Sequence, residues 1–179
     1  INRASLLCIL CYFLTACAIS TPDNILPVNN FQADRYMGKW YEIARLDHSF
    51  EQGLSDVSAH YQLLPNGNVE VINRGYNADK KEWRDITGLA KFLGKSTIGS
   101  LKVSFFWPFY GGYHIAKLDK QNYCWAIVVG PSREYLCILA REKTLPPKLL
   151  DQLVKKVSKL DIDTKKLIWV SQEQPDKGQ

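Results

Sequence analysis

The chain has 179 residues, of which 46% are hydrophobic and 12% aromatic, a composition that can close one substantial core in a single domain. Its formal net charge of +5 comes from 23 basic and 18 acidic residues with no dense basic run, so nothing in the charge indicates a nucleic-acid-binding protein. The sequence has no metal-ligand spacing, phosphate-binding loop or Gly-x-Ser-x-Gly motif, so we expect neither a metal nor a cofactor.

The N-terminus is predicted to be a lipoprotein signal peptide over residues 1–16. Arg3 precedes an apolar run, residues 4–14, that is too short to cross a bilayer as a helix and has the length of a secretory h-region. Residues 14–17, Leu-Thr-Ala-Cys, resemble the lipobox of bacterial lipoproteins, in which the cysteine is acylated and becomes the new N-terminus. We expect Cys17 to carry this anchor. The alternative is an ordinary cysteine beside a signal cleaved elsewhere.

Residues 17–28 are predicted to be the lipidated N-terminus and a tether, and residues 29–179 the folded domain. The tether contains two prolines and few apolar anchors, which is typical of a linker. Ala18 stands where an aspartate would signal inner-membrane retention in Gram-negative lipoproteins, so the resemblance implies the outer membrane. Several acyl chains, each contributing about 0.8 kcal/mol per buried CH₂, would make the attachment essentially permanent.

Residues 38–141 alternate short β-rich runs with turn residues, which is the pattern of an antiparallel sandwich or barrel. The predicted strands are 38–46, 57–64, 68–76, 82–93, 98–106, 112–118, 122–129 and 134–141. Short turns rich in Asn, Asp, Gly and Pro separate them, and such turns favour consecutive hairpins over Greek-key crossings.

The hydrophobic period becomes helical after Arg141. Pro146 and Pro147 mark the start of a helix in which an apolar face lies opposite a lysine-rich one. The apolar face is expected to cover the outside of the sheet. A last apolar run, residues 167–170, predicts a short final strand.

Two motifs carry a resemblance to a known family. The run 38–45, Gly-Lys-Trp-Tyr-Glu-Ile-Ala-Arg, closely resembles the first lipocalin signature, which a short 3₁₀ turn precedes, and the run 135–141 looks like the third, which ends in an arginine. Where many lipocalins read Thr-Asp-Tyr, residues 118–120 read Leu-Asp-Lys, so the second signature is weaker. With the lipobox, the resemblance is to bacterial outer-membrane lipoprotein lipocalins. It implies an all-β, eight-stranded antiparallel up-and-down β-barrel, with a C-terminal α-helix packed outside and a short final strand.

One end of such a barrel must be sealed, because eight strands leave room for a single ligand. Gly38, Trp40 and Arg141 are expected to seal it, with the Arg141 guanidinium lying over the Trp40 indole in a cation–π contact. This assignment places the loops 46–56, 77–82, 106–112 and 130–134 at the open mouth. The three residues are therefore structural and not catalytic.

Alternation of side chains along the strands, extended by the family resemblance, predicts the ligand-binding residues. These are Glu42, Val103, Phe105, Trp107, Phe109, Tyr113, Val128, Tyr135, Cys137 and Leu139. The same alternation predicts that Ala44 faces inward. Glu42 needs a partner in an apolar cup, so it has either an internal salt-bridge role or a role in ligand recognition. A set of mouth residues is available for a phosphate or carboxylate: His48, Lys80, Lys81 and Arg133.

Two cysteines, Cys124 and Cys137, lie in the predicted barrel, and both are expected to face the cavity. Four strand positions, or about 13 Å, would separate them. Because a disulfide tolerates a Cα separation of at most about 7 Å, we predict two free thiols.

The resemblance implies a protein that is lipid-anchored in the outer membrane of a Gram-negative bacterium and binds fatty acids or lysophospholipids, for storage, transport or repair of envelope lipid. A rival hypothesis is a lipid-modifying enzyme with Cys137 as nucleophile, although no histidine lies near it in sequence. A third is a structural lipoprotein with an empty cup. A homodimer is left open, because aromatic residues at the rim invite pairing.

Overall fold

The structure, a computed structural model, describes residues 19–49 and 51–175. The predicted signal peptide over 1–16 and the predicted acylation site, Cys17, lie outside the described residues. In the described part of the chain, no helix is both long enough and apolar enough to cross a membrane.

Nine strands and two α-helices lie within the described residues. The strands are β1 (Gly38–Arg45), β2 (Leu54–Leu63), β3 (Val69–Asn77), β4 (Glu82–Phe92), β5 (Ser100–Phe106), β6 (Phe109–Leu118), β7 (Trp125–Val129), β8 (Leu136–Ala140) and β9 (Ile168–Trp169). The helices are α1 (Ala33–Tyr36) and α2 (Pro147–Ser158), and a 3₁₀ turn spans Thr164–Lys166. In place of the expected 3₁₀ turn before β1, α1 is one turn of α-helix, because the Met37 amide bonds the carbonyl four residues back, at Ala33.

The sheet closes on itself. Strands β1 to β8 pair antiparallel in chain order, and β1 pairs with both β2 and β8. This confirms the predicted eight-stranded up-and-down barrel. The ninth strand lies outside the barrel, where Trp169 pairs with Ala44 of β1. The β5–β6 hairpin is tighter than predicted, because β6 begins at Phe109 and not at residue 112.

Two apolar clusters lie on the two faces of the barrel wall. Along β7 the side chains alternate between them: Ala126 and Val128 belong to the inner cluster, and Ile127 and Val129 to the outer one. The outer cluster includes the buried face of α2, where Leu153 and Val157 have no exposed surface. The helix therefore covers the outside of the barrel, as predicted from its amphipathic pattern.

A β-bulge in β1 changes which side chains enter the barrel. Glu42 pairs with Leu139, but the next partner of β8, Ile138, pairs with Ala44, so Ile43 is the extra residue. Ala44 consequently lies in the outer cluster, and the prediction that it faces inward was wrong. The bulge turns Arg45 toward the barrel interior instead, opposite Cys137.

The N-terminal segment packs along the barrel wall from Ile19 onward. The Val28 amide donates to the Ile115 carbonyl at 2.9 Å, and Ile25 is buried in the outer cluster. At Gly112 in β6, an added Cβ would lie 3.0 Å from the carbonyl oxygen of Ile19. The expectation that this segment has few anchors was therefore wrong, since its described part is fixed to the barrel.

Candidate functional site

The closed end of the barrel is built around Trp40 and Arg141. The Arg141 guanidinium lies 3.9 Å from the centroid of the fully buried Trp40 ring. Its Nη2 donates hydrogen bonds to the carbonyls of Arg35 and Met37 at 2.9 Å, and its Nη1 donates one to Lys39 at 2.8 Å. These bonds satisfy carbonyls at the end of α1 and tie the last barrel strand to the first.

Gly38 adjoins this arrangement in a conformation that favours glycine. Its φ is +89°, and an added Cβ would lie 3.5 Å from Nη1 of Arg141. The structure thus brings together the three residues that the sequence assigned to the seal.

An inner chamber of about 70 Å³ lies above this seal. Most of the predicted ligand-binding residues line it: Glu42, Val103, Phe105, Tyr113, Tyr135, Cys137 and Leu139. Val128 does not line it, because this residue is fully buried between its cross-strand neighbours Ile115 and Cys137. Rings from the segment before β1, Phe31 and Tyr36, occupy the lower part of the barrel and narrow the chamber.

A wider vestibule of about 750 Å³ opens at the mouth. It shares Val103, Phe105 and Tyr135 with the inner chamber, so the two form one continuous cavity. The chamber alone is too small for an acyl chain, whereas the vestibule is of the size that ligand sites commonly have. An acyl chain, as expected from the resemblance, would therefore have to lie mostly in the vestibule.

The β5–β6 hairpin forms an aromatic lip on the vestibule. Phe106, Trp107 and Phe109 are 58%, 83% and 76% exposed, which is unusual for side chains of this size. Phe106 and Phe109 pair across the hairpin and line the vestibule, and Trp107 stands at its tip. The predicted rim residues are therefore apolar surface at the opening and not part of the core.

A buried hydrogen-bonded pair, Arg45 and Glu42, lies in the chamber wall. Nη1 of Arg45 donates to Oε1 of Glu42 at 2.9 Å, and both side chains are buried. Nη2 of Arg45 also donates to the carbonyls of Glu51 and Leu54, at 2.8 and 3.1 Å. Sequence reasoning missed Arg45 because strict alternation along β1 places it outside. The bulge at Ile43 is what brings it in.

Glu51, from the β1–β2 loop, adds a second carboxyl group to this wall. Its Oε2 lies 3.1 Å from Nε2 of His48, and its side chain lines both parts of the cavity. Burial, then the charge of Glu51, raises the pKa of Glu42 well above its ordinary value, against the opposing effect of Arg45. For Glu51, burial is the largest single influence and would raise the pKa. The hydrogen bond and the charge of His48, together with a hydrogen bond from Glu42, outweigh burial, so the pKa of Glu51 is lowered. These opposite shifts place the proton of the pair on Glu42 and its negative charge on Glu51.

Cys137 lacks the environment of a nucleophile. The thiol is buried, and burial, followed by the charges of Glu42 and Glu51, raises its pKa well above the ordinary value. His48, which lines the vestibule, stacks on Tyr135, with ring centroids 4.4 Å apart. A reactive cysteine needs a lowered thiol pKa, so this site does not support the rival enzymatic hypothesis.

Both cysteines of the described chain are free, as predicted. Cys124 does not face the cavity, however. It lies exposed in the turn before β7, and its amide bonds the Asp119 carboxylate at 3.3 Å. β7 begins at Trp125, three residues after the predicted start at residue 122, so strand alternation does not apply at Cys124.

The cationic residues expected at the mouth do not come together at one site on the vestibule. Arg133 donates to the carbonyls of Leu160, at 2.9 Å, and of Asp23, so it fastens the N-terminal segment to the fold. Lys80 and Lys81 are exposed in the β3–β4 turn and do not line the vestibule, although His48 does. Arg74 and Arg84 on β3 and β4 line it instead, and Arg74 pairs with Asp85 at 3.2 Å.

The chemistry of the site is that of a binding cavity. Within residues 19–49 and 51–175, no group of three or more His, Cys, Asp and Glu side chains could hold a metal ion. The cavity has an apolar wall, one buried polar cluster and arginines near its opening. Such a cavity suits a ligand with an apolar chain and a polar head.

The chain is similar to known proteins over most of its length. A family model described as a lipocalin-like domain matches residues 31–172. The outer membrane lipoprotein Blc of Vibrio cholerae is 46% identical over 165 residues, which cover 92% of this chain and 96% of that protein. Apolipoprotein D of Bos taurus is 34% identical over 149 residues, which cover 80% of this chain and 78% of that one.

A solved structure shares the architecture at low sequence identity. Insecticyanin from the tobacco hornworm Manduca sexta has a TM-score of 0.66 and 22% identity, and the alignment covers 86% of each chain. At this identity the likeness concerns the fold alone.

Proposed function

The chain belongs to the lipocalin family, and from this premise we propose that it binds single-chain amphiphilic lipids, fatty acids or lysophospholipids, inside its barrel. As a member of this family it is a binding protein and not an enzyme. The proposal assigns it storage, transport or repair of envelope lipid.

The continuous cavity from the aromatic lip to the chamber carries this proposal. Its vestibule, about 750 Å³, has the volume for one acyl chain, and Val103, Phe105 and Tyr135 offer apolar surface where it narrows. Arg74 and Arg84 lie at the opening, where a phosphate or carboxylate head would stay partly hydrated. The acyl chain would thus point toward the seal and the head group toward solvent.

We propose that Cys17 is acylated after removal of residues 1–16, which places the protein on the outer membrane of a Gram-negative bacterium. The lipobox supports this proposal, and so does the relative of Vibrio cholerae, whose name is outer membrane lipoprotein. The docking of residues 19–28 shortens the predicted tether but leaves its role unchanged. A homodimer through the exposed lip stays a prediction, which light scattering in solution would test.

Native mass spectrometry of the delipidated protein tests the ligand class. Titration with a lysophospholipid and with a fatty acid should give adducts of one lipid per chain. Val103→Trp, which places a larger side chain where the two parts of the cavity meet, should weaken the adduct. Leu63→Trp, a change of the same kind at an exposed position on β2, is the matched control and should bind as the wild type does. If no single-chain lipid forms an adduct with the wild type, the proposal is wrong.

A further inference from the structure

Three tyrosine hydroxyls from distant parts of the chain meet inside the barrel. The hydroxyl oxygen of Tyr113, on β6, lies 2.7 Å from that of Tyr36, on α1, and 2.8 Å from that of Tyr61, on β2. These are normal lengths for hydrogen bonds between hydroxyl groups. We call these three residues the tyrosine cluster.

The tyrosine cluster lies at the deep end of the cavity. All three residues line the inner chamber and none lines the vestibule. The Tyr36 ring is 4.7 Å from the ring of Trp40, which seals the barrel. The cluster therefore forms a polar floor in the chamber, in addition to the carboxyl groups of Glu42 and Glu51 in its wall.

The hydrogen bonds within the cluster leave one hydroxyl hydrogen without an acceptor. Three hydroxyls carry three hydrogens, and the two bonds use two of them, whichever way the bonds point. In the part of the chain that the structure describes, these hydroxyls have no other hydrogen-bond partner. Burial, the largest influence on each, raises the pKa of all three, so all keep their hydrogens at neutral pH. A buried donor without an acceptor costs free energy, which an oxygen in the chamber would recover.

We propose that the tyrosine cluster is a hydrogen-bonding subsite for one neutral acceptor oxygen at the deep end of the cavity. The oxygen belongs either to a bound water or to a ligand whose acyl chain is oxygenated near its methyl end. A carboxylate does not fit, because a single available donor cannot replace its hydration. The chamber, at about 70 Å³, has room for a water or for the tip of a chain. If the oxygen comes from a ligand, the proposal rests on the proposed lipid-binding function. If the oxygen comes from water, it does not.

The variant that tests this subsite replaces all three tyrosines by phenylalanine. Removing only Tyr61 would leave one bond and still one spare hydrogen, so a single substitution does not remove the donor. The triple substitution keeps the rings and leaves an apolar floor. Tyr76→Phe is the matched control, because Tyr76 is a half-buried tyrosine on β3 that lines neither part of the cavity.

The first arm measures dissociation constants by displacement of a fluorescent fatty acid. It compares saturated fatty acids of graded length with the same acids carrying a ketone on the penultimate carbon. If the ligand supplies the oxygen, the keto acid of matching length should bind the wild type and Tyr76→Phe about fivefold more tightly than the plain acid. In the triple variant this preference should disappear.

The second arm is a high-resolution crystal structure of the wild type and of the triple variant. If water supplies the oxygen, an ordered water should bond the cluster in the wild type and be missing from the variant. The proposal is wrong if the wild type shows neither a keto-acid preference nor such a water, and this result does not require the triple variant to fold. Absence of all fatty-acid binding, with the water in place, would count against the proposed function and support the subsite.

Discussion

Nη1 of Arg45 donates a hydrogen bond of 2.9 Å to Oε1 of Glu42 inside the barrel wall, although the two residues are three apart on a strand where strict alternation would separate them. The bulge at Ile43 makes the pair, and Glu51 completes it from the neighbouring loop. With Glu42 neutral, the charge of Arg45 is balanced by ionised Glu51. The wall therefore encloses a compensated cluster and not an isolated acid.

Arg45→Met should lower the free energy of unfolding by about 3–5 kcal/mol, because it leaves the buried Glu51 carboxylate without its cation. Glu42→Gln should cost less than about 1 kcal/mol, since the amide oxygen still accepts from Arg45 and no charge is lost. Urea denaturation followed by tryptophan fluorescence measures both. Equal losses for the two variants would show that Glu42 is ionised in the native protein.

The pH dependence of stability follows from the raised pKa of Glu42. The folded state holds this proton more tightly than the unfolded state, where the pKa is near 4.5. Stability from this group is therefore complete below pH 4.5 and is lost as pH rises through the folded pKa. Glu51, with its lowered pKa, acts in the opposite sense below pH 4.5. The unfolding free energy of the wild type should fall more steeply with rising pH above 4.5 than that of Glu42→Gln. Parallel pH profiles would contradict this assignment.

The contact between Arg141 and Trp40 should contribute strongly to stability. Arg141→Ala removes the cation from the ring and the donors from the carbonyls of Arg35, Met37 and Lys39, so unfolding should become easier by about 2–4 kcal/mol. Arg141→Lys keeps a charge but not the planar fork, and should fall between alanine and the wild type. Guanidinium denaturation checks the order. A lysine variant as stable as the wild type would assign the effect to charge alone.

The aromatic lip should matter for lipid capture and not for folding. Replacing Trp107 and Phe109 together by Ser should slow transfer of a fluorescent lysophospholipid from vesicles to the protein, while the free energy of unfolding changes by no more than about 0.5 kcal/mol. Trp169→Ser, at an exposed aromatic residue on β9, is the control and should leave transfer unchanged. If the lip variant captures lipid at the wild-type rate, the lip has a packing role only.

Membrane attachment depends on a single predicted thiol. Cys17→Ala in the full-length chain should move the protein from the membrane pellet to the soluble fraction after cell disruption, because the acyl chains supply the attachment. Cys124→Ala, at an exposed thiol of the barrel, should remain in the pellet. Continued sedimentation of Cys17→Ala with the outer membrane would overturn the anchor.

The seal could be predicted from sequence because Gly38, Trp40 and Arg141 lie in short motifs. Each motif indicates both the strand that a residue occupies and the side to which its side chain points. The polar wall could not, because alternation along β1 holds only as far as Glu42, and nothing in the sequence marks Ile43 as a bulge. Glu51 was missed for a related reason, since a loop residue has no periodicity from which to infer its orientation.

The size of the inner chamber could not be predicted from the strands either. Alternation gave the wall residues, but Tyr36 enters from α1 and Phe31 from the segment before it. Both approach from below the barrel, where strand periodicity carries no information. The tyrosine cluster escaped notice because its members are 25 or more positions apart, and only barrel closure brings their hydroxyls together.

The docked N-terminal segment limits how far the protein can travel from its own lipid anchor. Only Ala18 separates Cys17 from Ile19, which lies against β6, so the free chain spans at most about 7 Å. If Cys17 is acylated as proposed, the barrel cannot search the space between the two membranes of the envelope. It stays at the surface of the leaflet that holds the anchor, and it moves only as far as that anchor diffuses in the plane of the membrane.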